Sequence, residues 1–246
     1  MNPRLLLTQS LRDHPRGTDI AAVMAAAISA VEPGAAVRRF LQRDGATLTI
    51  GTARYDLSEI ERVVLVGAGK AAAAMAHAAS EVLGDYLSDG VVIVKDGGGA
   101  GFRIQDSGFR SADAAGVRIQ DSGFRSADAA EHAAAAQPRY RTFAAQHPVP
   151  DERGVAATQE IATLLVGAGE RDLVVALISG GASALMTLPT AGIALSDMQA
   201  LTASLLACGA TINEINTLRK HLDTIKGGGM ARLAAPAKLA ALVLSD

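Results

Sequence analysis

Cysteine is nearly missing from this chain. The one thiol in 246 residues, Cys208, leaves no partner for an intrachain disulfide, and in the apolar stretch LTASLLACGA it is expected to be a small core residue. A surplus of charge is missing too. Twenty-three basic residues against 25 acidic ones give a net charge of -2, which provides no electrostatic reason for nucleic acid or an anionic membrane as partner. No stretch reaches the roughly 18 consecutive apolar residues of a membrane-spanning helix. The opening MNPRLLLTQSLRDHPRG breaks its short apolar run with charge and proline, unlike a secretory signal. These absences predict a reducing, cytoplasmic setting and small-molecule chemistry. What the chain has in quantity is apolar surface: 49% of its residues are hydrophobic, enough for one sizeable core or for a main domain with a small appendage.

Two regions are expected. In the first, TDIAAVMAAAISAVEPG reads as a helix capped by Thr18 or Asp19 and stopped at Pro33-Gly34. AAVRRFLQR reads as a second helix, and ATLTIGTARYDL as a hairpin about Gly51. Residues 1–60 would thus form an N-terminal arm, a lid or brace for the rest of the chain. From Glu61 strand and helix patterns alternate: VVLVGAGK, AAAAMAHAASEVLG, GVVIVKDGG, then GVAATQEIATLLVGAG, DLVVALISGG, LSDMQALTASLLACG and the closing KLAALVLSD. Continuous β-branched runs suit parallel strands buried on both faces, so residues 61–246 are predicted to be an α/β domain with a doubly wound, mostly parallel, Rossmann-like sheet. Inside it RIQDSGFRSADAA occurs at 103–115 and again, identically, at 118–130. Two copies are too few for a solenoid. They read as a tandem duplication in a surface loop spanning 97–146, where extra length costs little closure entropy and part of the chain is expected to be mobile.

Four places can carry chemistry. VVLVGAGKAAAAMA sets Gly67, Gly69 and Lys70 between a strand and a helix, where free amides and the helix dipole favour an anion. A cation at that dipole end is unfavourable alone, so Lys70 suggests that an anion joins it; a surface lysine beside a tight turn is the plainer reading. A Walker A loop would need glycine where Val64 stands, whereas GAGKAA fits G-x-G-x-x-A, with Asp96 within reach of a ribose. LISGGASALM sets Ser179, Gly180, Gly181 and Ser183 after the next buried strand, with Ser183 able to cap the following helix; a structural turn is the alternative. It is not a nucleophile elbow, because Leu185 stands where glycine is required. NEINTLRKHLDTIKGGG crowds Asn216, Arg219, Lys220 and Lys226 near a glycine stop, the first three on one helical face. That suits a phosphate or carboxylate, although such runs are commonly solvated surface. In QHPVPDE, His147 reads as a structural histidine ahead of a helix that starts near Asp151.

Taken in order, VGAGKAAAAMA, HPVPDERG, LISGGASALM, GATINEINTLRKHLDTIKGGGMA and the final LSD resemble the bacterial glycerate 2-kinase family, labelled hydroxypyruvate reductases in some genomes. The likeness runs from about Tyr55 to Asp246, the duplicated loop excepted. It implies phosphoryl transfer from ATP, with Mg2+, to the 2-hydroxyl of D-glycerate. Lys70 would serve the transfer. Gly67, Gly69, Ser179, Gly180, Gly181 and Ser183 would cradle anionic oxygens, with Asn216, Arg219, Lys220 and Lys226 supplying further contacts, and Asp246 would contact Mg2+. Positioning and charge neutralisation are what such chemistry asks of a protein. Two departures stand out. Ala182 replaces the third glycine of the family's S-G-G-G-S, where φ > 0 would be costly. The family's chains also continue into a second domain that shares the active site, so this polypeptide is expected to carry one wall of it and to show weak or no activity alone. A homodimer is left open. Two other readings remain: a nicotinamide-dependent hydroxypyruvate reductase, and a non-catalytic module that binds a phosphosugar or hydroxy acid.

Overall fold

The computed structural model describes residues 2–97 and 139–245, so the duplicated segment 103–130 and Asp246 lie outside the described residues. After a 3-10 turn at Pro3–Leu6 come three α-helices: α1 (Gln9–Arg12), α2 (Gly17–Ala30) and α3 (Pro33–Phe40). Thr8 rather than a residue of α2 is the capping hydroxyl here, accepting from Leu11 N–H. α2 starts with no side-chain cap, and Asp19 sits in its first turn. Pro33 does more than stop a helix. With its fixed φ it opens α3, and the Glu32 carboxylate accepts from Gly34 and Ala35 N–H. The predicted second helix ends at Phe40, earlier than expected, and the predicted hairpin is a three-stranded antiparallel meander: β1 (Leu41–Asp44), β2 (Thr47–Ile50) and β3 (Ala53–Asp56). Leu41 is fully buried and pairs with Ile50, so strand pairing overrides the helical pattern there.

The main sheet is built from β4 (Arg62–Ala68), β5 (Leu87–Lys95), β6 (Arg141–Ala145), β7 (Asp172–Ser179) and β8 (Lys238–Leu244). All its pairings are parallel, in the order β6-β5-β4-β7-β8, which bears out the doubly wound α/β class. Side chains alternate across it. Val63, Leu65, Val92, Val175 and Leu177 pack with α4 (Ala72–Leu83) and with Val37, Leu41, Leu48, Ile50 and Leu57 of the N-terminal arm. Val64, Val66, Ile93, Val174 and Ala176 pack on the other face against α5 (Glu152–Val166) and α6 (Ala182–Leu185). After α6 come α7 (Leu195–Ala207), α8 (Ile212–Arg219) and α9 (Gly229–Ala234), the last reaching the same face through Ala234. Cys208 follows α7 and is exposed, not part of the core as expected.

Candidate functional site

Between β4 and β7 the chain order of the strands reverses, and the carboxyl ends at such a switch point are where open α/β sheets form their ligand crevice. Both glycine turns sit there, bonded to each other. Lys70 N–H donates to Gly180 O at 2.9 Å, and Ala71 N–H donates to Ser179 Oγ at 3.1 Å. Ser179 therefore caps α4 from the neighbouring strand, a service that Ala71 at the N-cap cannot perform. The glycines answer to the same contact. A Cβ on Gly67, which lies within β4, would fall 2.8 Å from Leu177 O; one on Gly69, at φ +133°, would fall 2.1 Å from Ser179 Oγ. The G-x-G spacing is required by the crossing of two strands, whatever ligand is bound. Asp96, the ribose contact of the nicotinamide reading, pairs with Arg153 at 2.9 Å.

Further along each turn the amides are different. Those of Ala73 and Ala74 in α4, and of Ala182 and Ser183 in α6, meet no acceptor among the described residues. Gly181, at φ +89°, is the left-handed residue that opens α6. Ala182 is already helical, so the strain expected at that position does not arise. Ser183 lies inside the short helix and does not cap it.

Cationic side chains converge on this crevice from several elements. Lys70 is exposed at the head of α4, and Lys95 ends β5. The ring of His147, from the β6–α5 connection, lies against Gly181: a Cβ there would come within 3.1 Å of His147 Nε2 and 3.6 Å of Lys70 Cγ. Gly181 thus admits the imidazole where a side chain would exclude it. Partial burial, then the charges of Lys70, Lys95 and Arg219, hold the His147 imidazole below its ordinary pKa and so favour its neutral form. Arg219, at the end of α8, is pushed down by burial with only partial opposition from Asp223; its guanidinium donates to Thr202 Oγ1 at 3.4 Å. His147 was read from sequence as structural and Lys95 was not singled out. The signal for His147 was its place between a strand end and a helix cap, since Asp151 caps α5 as expected.

Other sequence-predicted residues lie elsewhere in the arrangement. Lys226 is held by the fully buried Asp223 carboxylate and donates to Met186 O at 2.9 Å, an internal brace instead of the expected anion contact. Lys220 packs beneath the Gly227 turn, 3.2 Å from where a Cβ on that glycine would stand. Asn216 is exposed on α8, one turn before Arg219.

A doubly wound α/β domain with a basic crevice at the switch point of its sheet is the class that fold and site define. The chain belongs to the family described as a domain of unknown function, DUF4147, whose profile matches residues 19–246. It is 39% identical over 187 residues to the D-glycerate 2-kinase of Thermotoga maritima, covering 76% of this chain and 37% of that one. An Agrobacterium vitis protein that carries a hydroxypyruvate reductase name is 42% identical over 185 residues, 75% of this chain and 34% of the relative. The crystal structure of glycerate kinase from Thermotoga maritima superposes with a TM-score of 0.63 at 35% identity, over 92% of this chain and 43% of that one. The resemblance read from the ordered motifs is borne out. In each comparison the chain spans well under half the length of the relative.

Proposed function

We propose that this chain forms one wall of a glycerate kinase active site, for transfer of a phosphoryl group from ATP to the 2-hydroxyl of D-glycerate. The observation that carries this reading is the meeting of Lys70, Gly181, His147 and Arg219 at one crevice, reached from separate elements. Both substrates are anions, and phosphoryl transfer needs positioned donors and neutralised charge more than covalent help. Lys70 and Arg219 would neutralise phosphate or carboxylate oxygens, and the amides of Ala73, Ala74, Ala182 and Ser183 would hold oxygens without reorganising. Gly181, with no Cβ, lets the His147 ring sit against the main chain of the turn.

Mg2+ accompanies ATP in this reading. Among the described residues no group of three His, Cys, Asp or Glu side chains gathers as a metal site would, and the basic crevice does not fit a cation. No step is assigned to the metal, and the proposed contact, Asp246, lies outside the described residues.

The test uses an enzyme in which this chain is completed by the second wall of the site; it couples ADP release to D-glycerate addition, with hydroxypyruvate plus NADH as the competing reaction. Lys70→Ala is expected to lower kcat by about a hundredfold or more, as for a lost transition-state contact. Hydroxypyruvate-dependent oxidation of NADH without ADP release would overturn the kinase reading. Ligand binding with no turnover would favour the non-catalytic one.

A further inference from the structure

We propose that His147 is the proton acceptor of the transfer, taking the proton of the attacking hydroxyl as that oxygen bonds the transferred phosphorus. The inference rests on the kinase reading and adds to it the one group that the reaction needs and the cations cannot supply. As the new oxygen–phosphorus bond forms, the bond from phosphorus to the bridging oxygen of the nucleoside triphosphate breaks. Its electron pair leaves on the nucleoside diphosphate, and the hydroxyl proton passes to a ring nitrogen of His147.

Geometry points to this residue. The ring packs over the Gly181 backbone, its Nε2 3.1 Å from where a Cβ would stand, with the Lys70 side chain beside it, so a ligand held at this turn lies next to the imidazole. A histidine kept for the fold ordinarily ties a ring nitrogen to a carbonyl or carboxylate. Among the described residues nothing bonds the His147 ring, and its charged neighbours are all cations: Lys70 from the β4–α4 turn, Lys95 from the end of β5 and Arg219 from α8. The nearby carboxylates are engaged elsewhere. Asp151 accepts from Gly154 N–H, Gln146 N–H and Arg153, and Asp96 from Arg153.

Burial first, and then these cations, favour the neutral imidazole before substrate arrives, which is the form a base must have. Once triphosphate and carboxylate neutralise them, the ring becomes more basic, at the moment it has a proton to accept. Burial gives the preference for the neutral form, and the cations couple it to occupancy of the crevice.

The experiment is the pH dependence of kcat/KM in the ADP-coupled assay, for the enzyme with both walls of the site present and for its His147→Gln and Lys95→Met variants. The parent should lose activity as pH falls, with the acid limb below the ordinary histidine value of about 6.5. His147→Gln should lose about a hundredfold to ten-thousandfold in kcat, with little change in KM for D-glycerate, and should lose that limb. Lys95→Met should move the limb to higher pH, because a cation facing the ring is gone. A His147→Gln variant that keeps the parent's rate, or keeps the acid limb, overturns the inference while leaving the kinase reading intact. A parent enzyme with both walls of the site present that releases no ADP with D-glycerate removes both. Unchanged thermal melting of His147→Gln separates a lost base from a lost fold.

Discussion

Gly69 shows how much of the site is fold chemistry before it is ligand chemistry. Its φ of +133° lies where side chains are rarely tolerated, and an added Cβ would meet Ser179 Oγ at 2.1 Å, inside any real contact. The serine cannot yield easily, since its oxygen accepts Ala71 N–H and is buried with the strand end. Gly69→Ala is therefore expected to lower unfolding free energy by about 3 kcal/mol or more, combining backbone strain with overpacking. Gly45→Ala is the control. That glycine also has positive φ, +56°, but no atom stands within 4 Å of its would-be Cβ, so only the left-handed cost of about 1–2 kcal/mol should register. Denaturant melts of the two variants decide the matter. Equal losses would mean that the crossing of the two turns has no energetic part in the glycine requirement. Gly181 adds a second version of the same argument, because a Cβ there would meet the His147 ring at 2.9 Å.

Elements explain why these turns meet at all. β4 and β7 pair from Arg62↔Asp172 through to Ala68↔Ile178, so fixing their starts fixes their ends. At the start, Arg62 Nη2 donates to Asp172 Oδ2 at 2.5 Å and Gly169 N–H donates to the same carboxylate at 2.7 Å. Burial pushes the Asp172 pKa up, but the bonds from Arg62 and Gly169 outweigh it and leave it below the ordinary value of 3.8. A carboxylate lowered on folding contributes stability that is present above that value and lost as pH falls through the lower, folded one. Asp172→Asn should thus cost about 1–3 kcal/mol at pH 7, and its Tm deficit should shrink as pH drops below 3.8. A deficit unchanged in acid would assign the loss to something other than ionisation. The strands themselves were legible because VVLVGA, GVVIVK and DLVVALIS are apolar runs that must be buried on both faces. β6 was not, since RTFAA is five residues at a sheet edge with arginine leading it, and β1 looked helical until its partner at Ile50 was in view. Lys70 was legible by its turn. The site role of His147 was not, because it depends on a contact with Gly181 across 34 positions of sequence that no local pattern encodes.

At the scale of the whole molecule, the arm's role follows from which core it shares. Leu41, Leu48, Ile50 and Leu57 belong to the same buried cluster as Val63, Leu65 and Leu177 of the main sheet and Met75 and Leu83 of α4. Arg43 reinforces the join by donating to Val82 O at 2.7 Å, and Arg38 pairs with Glu81 at 2.6 Å. A lid that opened would have to expose that apolar surface, at roughly 25 cal/mol for each Å². We infer from this shared core that the arm acts as a brace on α4, whose first turn lies against Ser179 and Gly180. The consequence is cooperative unfolding of both sheets. Leu48, fully buried in β2, makes the test: Leu48→Ala should cost about 2–5 kcal/mol, the range for a buried leucine truncated to leave a cavity. Native-state hydrogen exchange should then show protection falling together at Thr49 in the small sheet and at Val64 and Val66 in β4, because the opening that exposes one exposes the other. Loss confined to residues 41–56, with β4 amides as slow as in the parent protein, would mean that the arm melts on its own and is free to act as a lid.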